Sequence, residues 1–182
     1  MSRIFLTLSS FATLALCIAF VLGLNVDDPK LAAEASAVDQ HILFGLGGML
    51  FATLVHAIVF TYFMGTGRWL EETSKAYQLP VDFHEENRKL KFNLLLRITA
   101  CLLLLIMTGA LGGAADPASR LTFAETFGSS DANLHLAGAV VTILFNLQTS
   151  FVQFRSIERN GEIIEEVLGE VQRIRTEKGL PV

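Results

Sequence analysis

The chain has 182 residues, of which 52 % are hydrophobic and 18 % charged, and its mean hydropathy is +0.49. Those values are high for a soluble domain and ordinary for a small membrane protein. The net charge of −4 argues against nucleic acid as a partner, and the two isolated cysteines, Cys17 and Cys101, argue against a disulfide framework or a zinc ribbon.

Four runs are long enough to cross a hydrocarbon core, which takes roughly 20 apolar residues each. The first is Ile4–Leu24. Arg3 precedes it as in a signal peptide, but its apolar core exceeds the roughly 7–15 residues of such a leader. The small-x-small site Ala35-Ser36-Ala37 comes only after the charged stretch Asp27, Asp28, Lys30 and Glu34. A retained membrane helix is expected. The second run, His41–Met64, continues past the interface through Arg68 and Trp69, residue types that anchor a helix at headgroup depth. Leu79-Pro80 ends this excursion, and Asp82 is expected to N-cap the helix that feeds the third run, Phe92–Leu111, with His84 in its solvated first turn. A loop at 112–133, rich in Gly, Ala, Ser and Asp, carries Phe123 and Phe127 as interface dips and leads to Ser130 or Asp131 as the cap of the fourth run, Leu134–Phe154. Beyond Arg155 the chain becomes amphipathic, with Ile164, Val167, Leu168, Val171 and Ile174 on one face. The expected fold is all-α. It is an integral membrane up-down four-helix bundle over residues 1–155, followed by a cytoplasmic amphipathic tail over 156–182 that docks on the cytoplasmic loop, a partner or a second copy.

Lys and Arg set the orientation. Arg68, Lys75, Arg88, Lys89 and Lys91 lie between the second and third runs, and Arg155, Arg159, Arg173, Arg175 and Lys178 lie in the tail. The other two loops hold only Lys30 and Arg120, together with seven acids. Both termini and the central loop are therefore expected on the cytoplasmic side of an inner membrane.

The feature most informative about function is a stripe on the second run: His41, Gly45, Gly48, Ala52 and His56. Its spacings of four, three, four and four place all five on one helix face. The fourth run has a similar stripe: His135, Gly138, Thr142, Asn146, Thr149 and Gln153. Polar groups are costly in lipid, so both faces are expected to turn towards protein or a cofactor. Beyond this shared pattern of a histidine followed by small residues, no internal repeat is evident. His41 and His135 begin their runs at the same side of the membrane. His56 lies fifteen residues after His41, or roughly 22 Å deeper at 1.5 Å per residue. That level on the fourth run is Thr149 or Ser150, while Cys101 on the third run is level with His56 and Arg97 lies one turn nearer the cytoplasm.

Two imidazoles on diagonal helices, each beside small residues, suit the axial ligation of a haem. The layout resembles the four-helix haem bundle of the cytochrome b family in quinol-oxidising complexes, where helices two and four each carry two histidines and bind two haems. His41, His56 and His135 match three of those four places. The fourth holds Thr149, a departure that takes a ligand from the second haem. The resemblance covers two helices. It implies haem b held by His41 and His135, with His56 and Arg97 in supporting roles.

Other chemistries remain open at this stage. Asp131 and His135 are four residues apart on one helix face, and with His41 they would suit copper, zinc or iron. His41 and His135 could equally bond water, Asp39 and Asp131 at the headgroups. His56 is read either as a hydrogen-bonded core residue, as a proton relay, or as a ligand shared across a dimer. Arg97 either snorkels to the cytoplasmic surface or meets an acidic cofactor group or a lipid phosphate. Membrane-embedded acids of the kind an ion carrier needs are missing from the four runs, and Gly65-Thr66-Gly67 lacks the lysine of a nucleotide loop. Two functions follow: a small b-type electron-transfer subunit, or a cofactor-free accessory subunit that packs against other membrane subunits.

Overall fold

The computed structural model describes residues 1–26 and 35–181. The charges read in the first loop, Asp27, Asp28, Lys30 and Glu34, lie outside them. The described chain is all-helical, without a strand: α1 (Ser2–Leu24), α2 (Ala35–Tyr77), α3 (Asp82–Ala115), the short α4 (Ala124–Phe127) and α5 (Asp131–Glu177). Four of these, α1, α2, α3 and α5, are long and apolar enough to cross a membrane. Their outward faces are apolar: Leu50, Leu96, Leu103, Ile106 and Phe151 are each more than 60 % exposed. In water such a surface would drive association, whereas acyl chains solvate it.

Packing divides the molecule into two hairpin-like pairs, α1 with α2 and α3 with α5, joined by α2–α3 and α1–α5 contacts. The α1–α2 pair packs closely because Gly48 lies on the α1 backbone, where a Cβ would come within 3.3 Å of Leu16 N. A main core of Phe5, Ala12, Leu16, Val55, Val59, Phe63, Leu94 and Ile98 fills the middle. The end of the bundle near Leu24, His41 and His135 is called here the histidine end, and the opposite one, beyond Trp69 and Arg159, the charged end.

At the charged end, α2, α3 and α5 run on without a break. The segment after Arg155 is a continuation of α5, not a separate helix. Its Ile163 and Val167 are fully buried against Leu70 and Leu79, with Tyr77, Phe83, Ile164, Val171 and Ile174 packed around them, while Leu168 stays exposed. This face is thus covered by the chain's own central excursion. Leu79 and Pro80 lie in the turn between α2 and α3, after Gln78 at φ 54°. Asp82 does not cap α3: the N-cap is Val81, with no side-chain bond, and Asp82 is the first helical residue. Ser130 caps α5 by accepting from the Asn133 N–H at 3.3 Å. Truncating Leu70 to Ala would open a void in this second core. We expect Leu70→Ala to cost about 2–4 kcal/mol, measured by denaturant unfolding in detergent, and the exposed Leu168→Ala less than ~0.5 kcal/mol.

Arg159 joins α5 to α3 at this end. Its guanidinium donates to both carboxylate oxygens of Glu86 at 2.7 and 2.9 Å, and also to Glu162 and Glu166. Arg159 holds the Glu86 carboxyl below the usual range through these bonds, against a smaller opposing effect of desolvation. A depressed carboxyl pKa stabilises the fold above the unfolded value near ~4.3 and ceases to do so as pH falls through the folded value. The pair is solvated, so the contribution stays below about 1 kcal/mol. Glu86→Gln should therefore lower stability slightly at pH 7 and not at all at pH 2, a crossover that paired unfolding curves measure.

Candidate functional site

His41 and His135 meet. They sit on α2 and α5 at the histidine end, with ring centres 5.8 Å apart and planes at 76°. Neither ring is held by its own helix. His41 Nδ1–H donates to the Ala19 carbonyl of α1 at 2.9 Å, and His135 Nδ1–H donates to the Thr108 carbonyl of α3 at 3.1 Å. A ring that donates from Nδ1 keeps its lone pair on Nε2 when neutral, the tautomer that a metal centre binds. The acceptors are carbonyl groups inside helices, which have a second lone pair available for such a bond.

Each ring also lies on a glycine of the same neighbouring helix. A Cβ on Gly23 would fall 2.7 Å from His41 Cε1, and one on Gly112 would fall 2.9 Å from His135 Cε1. The two devices match in register. The residue whose carbonyl accepts and the glycine are four apart on α1 (Ala19, Gly23) and four apart on α3 (Thr108, Gly112). Seven residues beyond each histidine the pairing continues, with Gly48 on Leu16 and Thr142 on Leu104 and Thr108. The two hairpins thus present the same imidazole mount to each other.

Between them lies a cavity of about 610 Å³, lined by both histidines and by small or apolar residues including Ala19, Gly45, Gly109 and Ala139. Its size falls within the range of small-molecule sites.

His56 is elsewhere. It is buried in the middle of the bundle, where Nε2–H donates to Asn146 Oδ1 at 3.0 Å and Nδ1 faces the Gln153 amide. Its level on α5 is that of Thr149, as the sequence arithmetic expects. Arg97 lies on the flank of α3, with its Nη1–H donating to Gln148 Oε1 at 2.9 Å and its Nε–H facing Asn93 Oδ1 at 3.4 Å. Neither residue lines the cavity. Asp131 is committed to the preceding loop: its carboxylate accepts from Thr122 Oγ1 at 2.7 Å and from the Phe123 N–H at 2.8 Å. Among the described residues no group of three His, Cys, Asp or Glu is placed to hold a metal ion. The set Asp131, His135 and His41 is therefore not assembled, because the carboxylate is turned to the α4 loop. Thr122 sits nine residues upstream, too far along the sequence for helical spacing to reveal this bond.

Gly23, Gly112, Ala19 and Thr108 complete the site, and none is prominent in the sequence. Their signal is a glycine near the end of an apolar run, four residues after the residue whose carbonyl is used. No family model, curated protein or solved structure matches this chain.

The glycine mounts are directly testable. Gly112→Ala forces the His135 ring from its carbonyl and should cost about 1–3 kcal/mol in thermal or denaturant unfolding of the ligand-free protein. Gly113→Ala, where a Cβ meets nothing within 4 Å, should be neutral or slightly stabilising.

Proposed function

We propose that the chain is a small b-type haem protein of the inner membrane. In this reading it is an up-down bundle that carries electrons through one haem clamped between His41 and His135. The observation that carries the reading is the pair of opposed imidazoles, each with Nδ1 tied to a neighbouring helix and Nε2 left for an iron. Both rings line one cavity, with centres 5.8 Å apart, so His41 and His135 are the residues that would hold the iron. The paired mounts and the small residues of the lining would leave room for a flat macrocycle. When bound, the haem supplies one-electron chemistry. The chain's own part is to fix both rings and set their basicity through the carbonyl bonds. Asp131 takes no part, because its carboxylate is bonded to the preceding loop, and His56 and Arg97 lie outside the cavity.

The Lys and Arg distribution supports a reading with the histidine end on the outer side and the charged end, with both termini, in the cytoplasm. Partners in this reading are the lipid bilayer and other membrane subunits that give or take the electron.

A reduced-minus-oxidised optical spectrum of the detergent-purified protein tests the proposal. A b-type spectrum is expected, lost in His41→Ala and in His135→Ala and retained in His84→Ala, whose ring lies at the charged end. A colourless protein under haem-sufficient expression would overturn it and leave a cofactor-free accessory subunit.

A further inference from the structure

The buried face of α5 is largely polar between Thr142 and Asn160. Thr142, Asn146, Thr149, Gln153, Ser156 and Asn160 all point inward at intervals of three or four residues, while Leu144, Leu147 and Phe151 face outward. Apolar residues would pack this core without any hydrogen-bonding demand, and interhelical polar pairs stabilise membrane bundles by only about 0.6 kcal/mol each on average. The face meets partners at three levels; Ser156 lies on the step between the first two, and Thr149 within the second has no partner among the described residues. At the charged end Asn160 Nδ2 donates to Thr66 Oγ1 at 3.1 Å, and Asn87 Nδ2 donates to Asn160 Oδ1 at 2.6 Å. Asn87 and Asn160 are buried, with Asn87 against Gly67, whereas Thr66 is half-buried and is where the file opens. In the middle, His56 is held between Gln153 and Asn146, whose Oδ1 also accepts from the Cys101 thiol at 3.5 Å. One turn further, the Thr142 and Thr108 hydroxyls are 2.7 Å apart. Those two threonines line the histidine cavity, and the Thr108 carbonyl is the one that holds His135.

We propose that this file of buried polar groups conducts protons from the charged end to His56, and that His56 takes up a proton when the cavity site gains an electron. The second half of this statement rests on the haem reading, and the first half does not. Two details single out His56. Gln153 presents both its Nε2, at 3.1 Å, and its Oε1, at 3.2 Å, to His56 Nδ1. One amide can thus donate to the neutral ring or accept from the imidazolium after a small rotation. Thr149 Oγ1, fully enclosed on the same face, makes no hydrogen bond among the described residues, so its hydroxyl is uncommitted. The groups around His56 are Asn146, Thr149 and Gln153 from α5 and, through Asn146, Cys101 from α3. The buried face of α1 offers Phe5, Ser9 and Ala12. No carboxylate or cation competes for the proton there among the described residues.

The balance is one electron, delivered to the cavity by a one-electron donor, and one proton, taken from water at the charged end. An O–H bond breaks at the mouth of the file and an N–H bond forms at His56 Nδ1, so the charge of the bundle is unchanged. The coupling is electrostatic over roughly 22 Å. At that range, in a protein interior, each event changes the equilibrium constant of the other about threefold, and the effect is reciprocal.

Two measurements on the full chain test this. Nitrogen-15 histidine spectroscopy in bicelles, with or without haem, follows deuterium exchange at the His56 ring. Asn160→Leu should slow that exchange at least tenfold. Thr66→Val, a milder change at the same point, should slow it less and serves if the first variant does not fold. Unchanged exchange in a folded variant would overturn the path. Spectroscopic redox titration between pH 5 and 9 should show the threefold shift in wild type and none in His56→Gln, which keeps hydrogen-bonding groups but cannot hold a proton. A shift that survives in His56→Gln would overturn the role of His56. A protein that takes up no haem would overturn the cofactor assignment and the coupling with it, while the exchange measurement still decides the path.

Discussion

A polar atom in hydrocarbon must find its partner within the protein, and this requirement organises the whole bundle. It turns the threonine and amide face of α5 inward. It sends the His41 and His135 rings to carbonyls on α1 and α3, and it commits His56 to two side chains 90 and 97 residues away in sequence. Apolar residues meet no such demand, and those outside the two cores face outward. Between Thr142 and Asn160 the usual distribution of a soluble domain is therefore largely inverted on α5, whereas Ile163 and Val167 beyond it are buried in the ordinary way.

The same requirement explains why the site is shared between hairpins. An imidazole on a helix cannot reach a carbonyl of its own helix without disturbing the ladder, so it takes one from the neighbour. Each helix pair then carries a ring whose position depends on the pair staying closely packed. Gly23 and Gly112 keep the neighbour close enough, and Gly48 does the same one level down. Two such pairs facing each other produce a cavity whose opposite walls have the same chemistry.

Much of this was legible in the sequence. The four spans follow from run length, both polar stripes follow from helical spacing, and the depth of His56 follows from residue rise alone. Spacing also identified His41 and His135 as level. What it could not supply is the third dimension of the contacts. Gly23 and Gly112 are anonymous within apolar runs, and only the packing of α1 on α2 and of α3 on α5 assigns them rings to hold. Asp131 shares a helix face with His135, but its carboxylate answers to a loop that closes back on it, which no periodicity encodes. Arg155 marks a change of composition along α5 without marking a change of structure, because the helix ladder is indifferent to the solvent on either side. Val81 displaced Asp82 as cap because the chain enters α3 one residue earlier than the preference for a capping carboxylate suggests.

The unbroken course of α5 has a mechanical consequence. Forty-seven residues make a rod of about 70 Å, more than twice the thickness of a hydrocarbon core of ~30 Å. Its first turns carry His135, and its far turns are clamped to the rest of the chain: Arg159 pairs with Glu86 of α3, and Ile163, Val167, Val171 and Ile174 pack with Leu70 and Leu79. The rod is therefore a strut rather than a free arm, and it fixes the distance between the imidazole site and the charged end.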